Sequence, residues 1–97
     1  MHVILWRFRA RPGREAEFEA AYGDDGAWAR FFRAGRGFLG TELMRGTDGT
    51  YLTIDRWETE QAHRAFCDSE AERYAKLDAR CSALTIEETL IGAVEVE

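Results

Sequence analysis

Thr50-Tyr51-Leu52-Thr53-Ile54-Asp55-Arg56-Trp57-Glu58 is the stretch whose reading decides the fold. It is rich in β-branched and aromatic residues and has no internal Gly or Pro. It follows the turn-forming run Gly46-Thr47-Asp48-Gly49, so it reads as a strand entered from a tight hairpin. Alternation along a strand puts Tyr51, Thr53, Asp55 and Trp57 on one face and Leu52, Ile54 and Arg56 on the other. Both faces carry bulk. A strand of this kind is normally covered on both sides, which places it inside a sheet with helices over one face and further protein over the other.

Upstream, Phe38 to Arg45 forms the other arm of the antiparallel hairpin, and Gly35, Gly37 and Gly40 bracket the exit from a preceding helix. Met1 to Arg11 alternates His2, Ile4, Trp6 and Phe8 against Val3, Leu5, Arg7 and Arg9, and Pro12-Gly13 ends it. Between these strands, Phe18, Tyr22, Trp28 and Phe32 would fall within an arc of roughly 120° if one helix ran through Gly23-Asp24-Asp25-Gly26. That stripe predicts one long or kinked helix, with Phe31 off it and facing a second surface. Downstream, Thr59-Glu60-Gln61 is a capped, acidic helix start, and Ser69-x-x-Glu72 has the spacing of a capping box, so two short consecutive helices are expected. Leu84 to Val96 is a final strand, with Gly92 as a bulge or close-contact position.

The order is strand, helix, strand, strand, helix, strand. This βαββαβ arrangement implies an α+β, ferredoxin-like fold: an antiparallel sheet with helices on one face, in a single domain over residues 1–97. The other sheet face then carries large side chains, Trp6 and Phe8 or Leu52 and Ile54, with no helix over them. A homodimer packed through its sheet faces is the expected cover.

A net charge of -5 disfavours nucleic acid and anionic membranes as partners, because either requires a basic patch. Arg7, Arg9, Arg11 and Arg14 come nearest to one. No run approaches the roughly 18 apolar residues of a membrane span, and Arg7 cuts off the apolar start too early for a signal peptide. A cytoplasmic location is expected. Cys67 and Cys81 on one straight helix would stand about 21 Å apart, too far for a disulfide, and two free thiols suit a reducing compartment. With no CxxC and only His2 and His63, no zinc or haem-attachment motif is present.

Gly37-Phe38-Leu39-Gly40-Thr41-Glu42-Leu43, Tyr51-Leu52-Thr53-Ile54-Asp55-Arg56-Trp57 and Leu84-Thr85-x-x-Glu88 with Ile91-Gly92 resemble the antibiotic biosynthesis monooxygenase family of dimeric α+β barrels. The resemblance spans nearly the whole chain. It implies a ligand pocket between sheet and helices in each subunit. In oxygenase members it implies an electron-rich polycyclic phenol or quinol as substrate, with no metal, flavin or other cofactor. The haem-degrading branch of the superfamily pairs an Asn on the first strand with a Trp and a His in the second helical region. Here Arg7 or Trp6, Phe66 and Lys76 stand at those positions, which argues against haem degradation.

Cofactor-free oxygenation needs a dry aromatic pocket, a base, and groups that hold the substrate anion. Trp28, Phe32, Trp57, Phe66 and Tyr74 are candidate walls, His63 or Asp55 a candidate base, and Arg56 or Arg7 a candidate anion partner. The expected catalytic pair is His63 and Tyr74, with Trp28, Phe32, Trp57, Phe66 and Arg56 as substrate contacts. Each has a structural reading beside the functional one. His63 is equally a core histidine bonded to a carbonyl, Trp57 equally core, and the aromatic stripe is core in most proteins. Asp55 and Arg56 point to opposite faces, so only one can line a given pocket, and a buried Asp55 would pair with Arg7. Two further functions use the same pocket: a non-catalytic or stress-associated module that binds a small apolar ligand, and an isomerase or aldehyde-processing relative.

Overall fold

The computed structural model describes residues 1–97. In chain order it comprises β1 (His2–Ala10), α1 (Glu15–Tyr22), α2 (Ala27–Phe32), β2 (Phe38–Arg45), β3 (Tyr51–Trp57), α3 (Glu60–Ser69), α4 (Ala71–Cys81), a 3-10 turn (Ser82–Leu84) and β4 (Thr85–Glu95). The strands form one antiparallel sheet in the order β2-β3-β1-β4, the ferredoxin-like topology.

β3 is central, as its two-sided bulk requires: Tyr51, Thr53 and Trp57 are buried and face the helices. The β1–β3 register sets Ile4 opposite Asp55 and Trp6 opposite Thr53, so the helix-facing row of β1 is His2, Ile4, Trp6 and Phe8. The uncovered face is therefore the one carrying Leu52 and Ile54, while Trp6 and Phe8 lie under the helices. The bulge expected at Gly92 is present. Leu5 faces Gly92 but Trp6 faces Leu90, so Ile91 is the extra residue.

The first helical segment differs from the sequence expectation. α1 stops at Tyr22, because Gly23 turns extended with its N–H still bonded to Glu19 O at 2.9 Å, and α2 restarts at Ala27. A Cβ at Gly26 would stand 2.6 Å from Ala20 O, so the reversal requires a glycine there. Arg33 then fixes the corner, reaching Asp25 Oδ1 at 2.6 Å and Asp24 O at 3.1 Å. Both helices pack on the same sheet, so both bury the same aromatic stripe. Phe31, expected on a second surface, is buried against Phe66, with ring centroids 5.0 Å apart.

Thr59 caps α3 as anticipated, its Oγ1 accepting from Ala62 N at 3.0 Å. The box at Ser69 does not form. Ser69 Oγ donates back to Phe66 O at 3.2 Å, and Glu70 occupies the N-cap of α4 with no side-chain hydrogen bond. A core of fourteen buried residues joins β1 and β3 to all four helices.

Candidate functional site

Between the helices and the helix-facing side of the sheet lies a cavity of about 460 Å³. Strand alternation supplies its floor: His2, Ile4, Trp6 and Phe8 from β1, Thr53 and Asp55 from β3, Thr41 from β2. The helices supply its roof: Tyr22, Trp28 and Phe32 from α1 and α2, His63 and Cys67 from α3, Tyr74 and Asp78 from α4. Glu88, Leu90 and Ala93 of β4 form one side. The volume suits a ring system of a few fused rings.

The floor holds a carboxyl, that of Asp55. Thr41 and Asp55 are register partners, and Thr41 Oγ1 donates to Asp55 Oδ1 at 2.6 Å. No cation accompanies that carboxyl. Arg7, the partner expected from the sequence, lies on the uncovered face and pairs with Glu87 at 3.4 Å. Burial raises the Asp55 pKa above the ordinary carboxylate range, and the Thr41 hydrogen bond offsets only part of the rise.

His63 comes from the first turns of α3, where the Thr59 cap orients the helix. Its ring lies 5.3 Å from that of Trp57 and 6.0 Å from that of His2, and its Nε2 is 3.4 Å from Cys67 Sγ. Burial, and then the neighbouring His2, hold its pKa below the usual imidazole value, so it is neutral at pH 7. His2 is buried and anchored through Nδ1 to Glu95 Oε1 at 3.1 Å. Tyr74 lies against Trp28, with ring centroids 5.0 Å apart. Burial pushes its phenol up to about 12, so it stays protonated and is a hydrogen-bond donor at neutral pH.

The structure divides the residues expected from the sequence into two groups. His63, Tyr74, Trp28 and Phe32 share the cavity wall. Trp57, Phe66 and Arg56 do not. Trp57 is fully buried among Phe32, Phe38, Phe66 and His63, so it supports the wall from behind. Phe66 fills the space between Trp57 and Phe31. Arg56 points to the uncovered face and pairs with Glu42 at 3.2 Å, as alternation from Asp55 demands. Glu88, exposed on β4, also borders the cavity. Thr41 was not singled out at all. Its only signal was a hydroxyl across the hairpin from Asp55, visible once the register is known. At one end, ligand atoms of His2, Glu60 and Glu95 lie within 4.8 Å of one another, but Glu95 is engaged by His2 and Glu60 by Arg64.

Comparison with known proteins agrees with this architecture. SnoaB, a cofactor-independent oxygenase from Streptomyces nogalater, superposes with a TM-score of 0.70 at 25% identity over 98% of this chain and 94% of its own. ActVA-Orf6, a monooxygenase from Streptomyces coelicolor solved with nanaomycin D, gives a TM-score of 0.78 at 24% identity over 99% and 87% of the two chains. Rv0793 from Mycobacterium tuberculosis gives 0.70 at 20% identity over 98% and 96%. These last two likenesses are of fold. No curated protein matches the chain. No helix is long and apolar enough to cross a membrane. The family model for antibiotic biosynthesis monooxygenases matches residues 1–76, most of the sequence, and the chain belongs to that family.

Proposed function

We propose that this protein is a cofactor-independent monooxygenase that oxidises an electron-rich phenol, quinol or anthrone-like ring held in the sheet–helix cavity. One observation supports this above the others: a carboxyl with no cationic partner, raised in pKa, lies on the floor of an otherwise aromatic cavity. A base with a raised pKa is better matched to a weak acid such as a phenol than an ordinary carboxylate is. SnoaB, described as a cofactor-independent oxygenase, lends the reaction class.

Asp55 takes the proton from the ring, and Tyr74 hydrogen-bonds the anion that results, while His63 bounds the far end of the cavity. Charge moves from carboxylate to ring oxygen without a net change in the cavity, which favours transfer in a dry site. The anion gives one electron to dioxygen, and radical and superoxide combine into a C–O bond. The peroxide takes up a proton. At a ring CH2, loss of the remaining C–H proton expels water and leaves a carbonyl, so CH2 and O2 become C=O and H2O. Aromatic walls exclude water from the intermediates.

The functional unit is a homodimer joined through the uncovered sheet faces. Val3, Leu5, Leu52, Ile54 and Val94 share that face with no helix over them, and Val94 is 51% exposed.

Oxygen uptake by the purified, metal-free protein with a panel of anthrones, quinols and naphthols tests the reading. Saturable uptake that Asp55→Asn abolishes supports it. Uptake at the uncatalysed rate for every compound would leave the protein as a holder of apolar ligands.

A further inference from the structure

The cavity wall has an uneven charge. It holds three carboxyl groups, those of Asp55, Asp78 and Glu88, together with two imidazoles and no Lys or Arg. None of the three carboxyls forms an ion pair, although nine ion pairs are formed by other groups of the chain. Asp55 is satisfied by Thr41 and placed at the middle of the floor. Glu88 and Asp78 are at one end. Glu88 faces Phe8 across the β1–β4 ladder, and Asp78 follows Tyr74 by one helical turn. That end is also the most aromatic. Tyr22 lies 4.7 Å from Phe8, and Trp28 lies 6.2 Å from Tyr22 and 5.0 Å from Tyr74, centroid to centroid. The imidazoles of His2 and His63 occupy the opposite end, about 20 Å away along β1 at roughly 3.3 Å per residue.

Carboxylates beside aromatic faces attract a cation twice, through opposite charge and through the ring quadrupoles. An anionic group at the same place meets like charge and has no cation to accept it. From this juxtaposition we propose that the cavity selects ring substrates that carry a protonated amine, with the ammonium between Glu88 and Asp78 and the reacting ring over Asp55. The proposal rests on the aromatic-substrate reading above and adds the charge of the substrate to it. Burial, with Asp78 nearby, already holds the Glu88 carboxyl above its ordinary pKa, the strain that a bound ammonium would relieve. The amine also orients the ring, since only one end of the cavity is acidic and unpaired.

Calorimetric binding under argon, which separates recognition from any reaction with oxygen, tests this with three naphthalenes of nearly equal shape: 1-naphthylmethylamine, 1-naphthylmethanol and 1-naphthoate. The amine is expected to bind about tenfold more tightly than the alcohol, and the carboxylate most weakly. Glu88→Gln and Asp78→Asn, both at exposed positions, should each erase several-fold of the amine's advantage while leaving the alcohol unchanged. Equal binding of amine and alcohol, tighter binding of the carboxylate, or an amine preference untouched by both substitutions would overturn the charge selection and leave the aromatic reading intact. Failure of all three to bind would overturn both.

Discussion

Thr41 Oγ1 and Asp55 Oδ1 meet at 2.6 Å across the β2–β3 ladder, and that hydrogen bond is the only one made by a half-buried carboxyl on the cavity floor. Two rigid strands hold both groups, so the geometry does not depend on loop conformation. The carboxyl is oriented without being neutralised, which is the state a base requires before substrate arrives.

The pH dependence of turnover follows from that placement. The acid limb of kcat/KM should lie above the ordinary carboxylate range of about 4, because burial raises Asp55. Asp55→Asn should remove the limb and lower the rate about 10²- to 10⁴-fold, as loss of a positioned base does. Oxygen-electrode rates from pH 4 to 9 check this.

Stability should move the other way. A carboxyl whose folded pKa is raised contributes stability below its unfolded pKa, and that contribution is lost as pH rises through the folded value. At pH 7 the wild type therefore holds an unfavourable buried charge that Asp55→Asn lacks. The variant should melt a few degrees higher at pH 7, and the gain should shrink as pH falls through the raised folded pKa and be gone by about 4, the unfolded value. Thermal melts at both pH values are the measurement.

Tyr74→Phe removes a donor and leaves the ring that packs on Trp28. If the phenol stabilises the substrate anion, the loss should fall on kcat by about tenfold to a hundredfold, the worth of one hydrogen bond to a charge. A change in KM alone would mean that Tyr74 is a wall and nothing more.

Gly35 is a test of the packing behind the site. A Cβ there would lie 2.7 Å from Phe66 Cδ1 and 2.9 Å from Trp57 Cη2, both buried ring atoms that cannot swing away. Gly35→Ala should cost about 1–3 kcal/mol by denaturant titration. Arg56→Ala, by contrast, should leave ligand affinity unchanged, because its guanidinium pairs with Glu42 on the far side of the sheet.

The strands were legible in the sequence because their signal is local: period-two alternation from Tyr51 to Trp57 and a Gly-bounded turn leave little choice of backbone. The break between Tyr22 and Ala27 was not. Phe18, Tyr22, Trp28 and Phe32 keep helical phase across it because both helices lie on one sheet, so the stripe reports a shared buried face and is silent on backbone continuity. The cavity was half legible for a related reason. Helical spacing set Trp28 and Phe32 on a stripe facing the sheet, but only three-dimensional packing shows that Trp57 and Phe66, named with them as candidate walls, stand one layer behind the cavity. Asp55 was visible as a base, yet its expected partner, Arg7, is across the sheet, and its true partner, Thr41, emerges only from the strand register.

Dimerisation through the uncovered face predicts a clear mutational phenotype. Ile54→Lys and Val94→Glu place charges in the middle of an apolar contact and should convert a dimer to a monomer by light scattering, with ligand affinity in the cavity retained.

The most direct test of Asp55 as the base is the absorption spectrum of a bound phenol under argon. A hydroxynaphthalene whose anion absorbs at longer wavelength than its neutral form should, at a pH below its solution pKa, show the anion band when mixed with the wild-type protein and only the neutral band with Asp55→Asn. A neutral spectrum with both proteins, at ligand concentrations where calorimetry shows the cavity filled, would contradict the account: Asp55 would then hold Thr41 in place and take no proton.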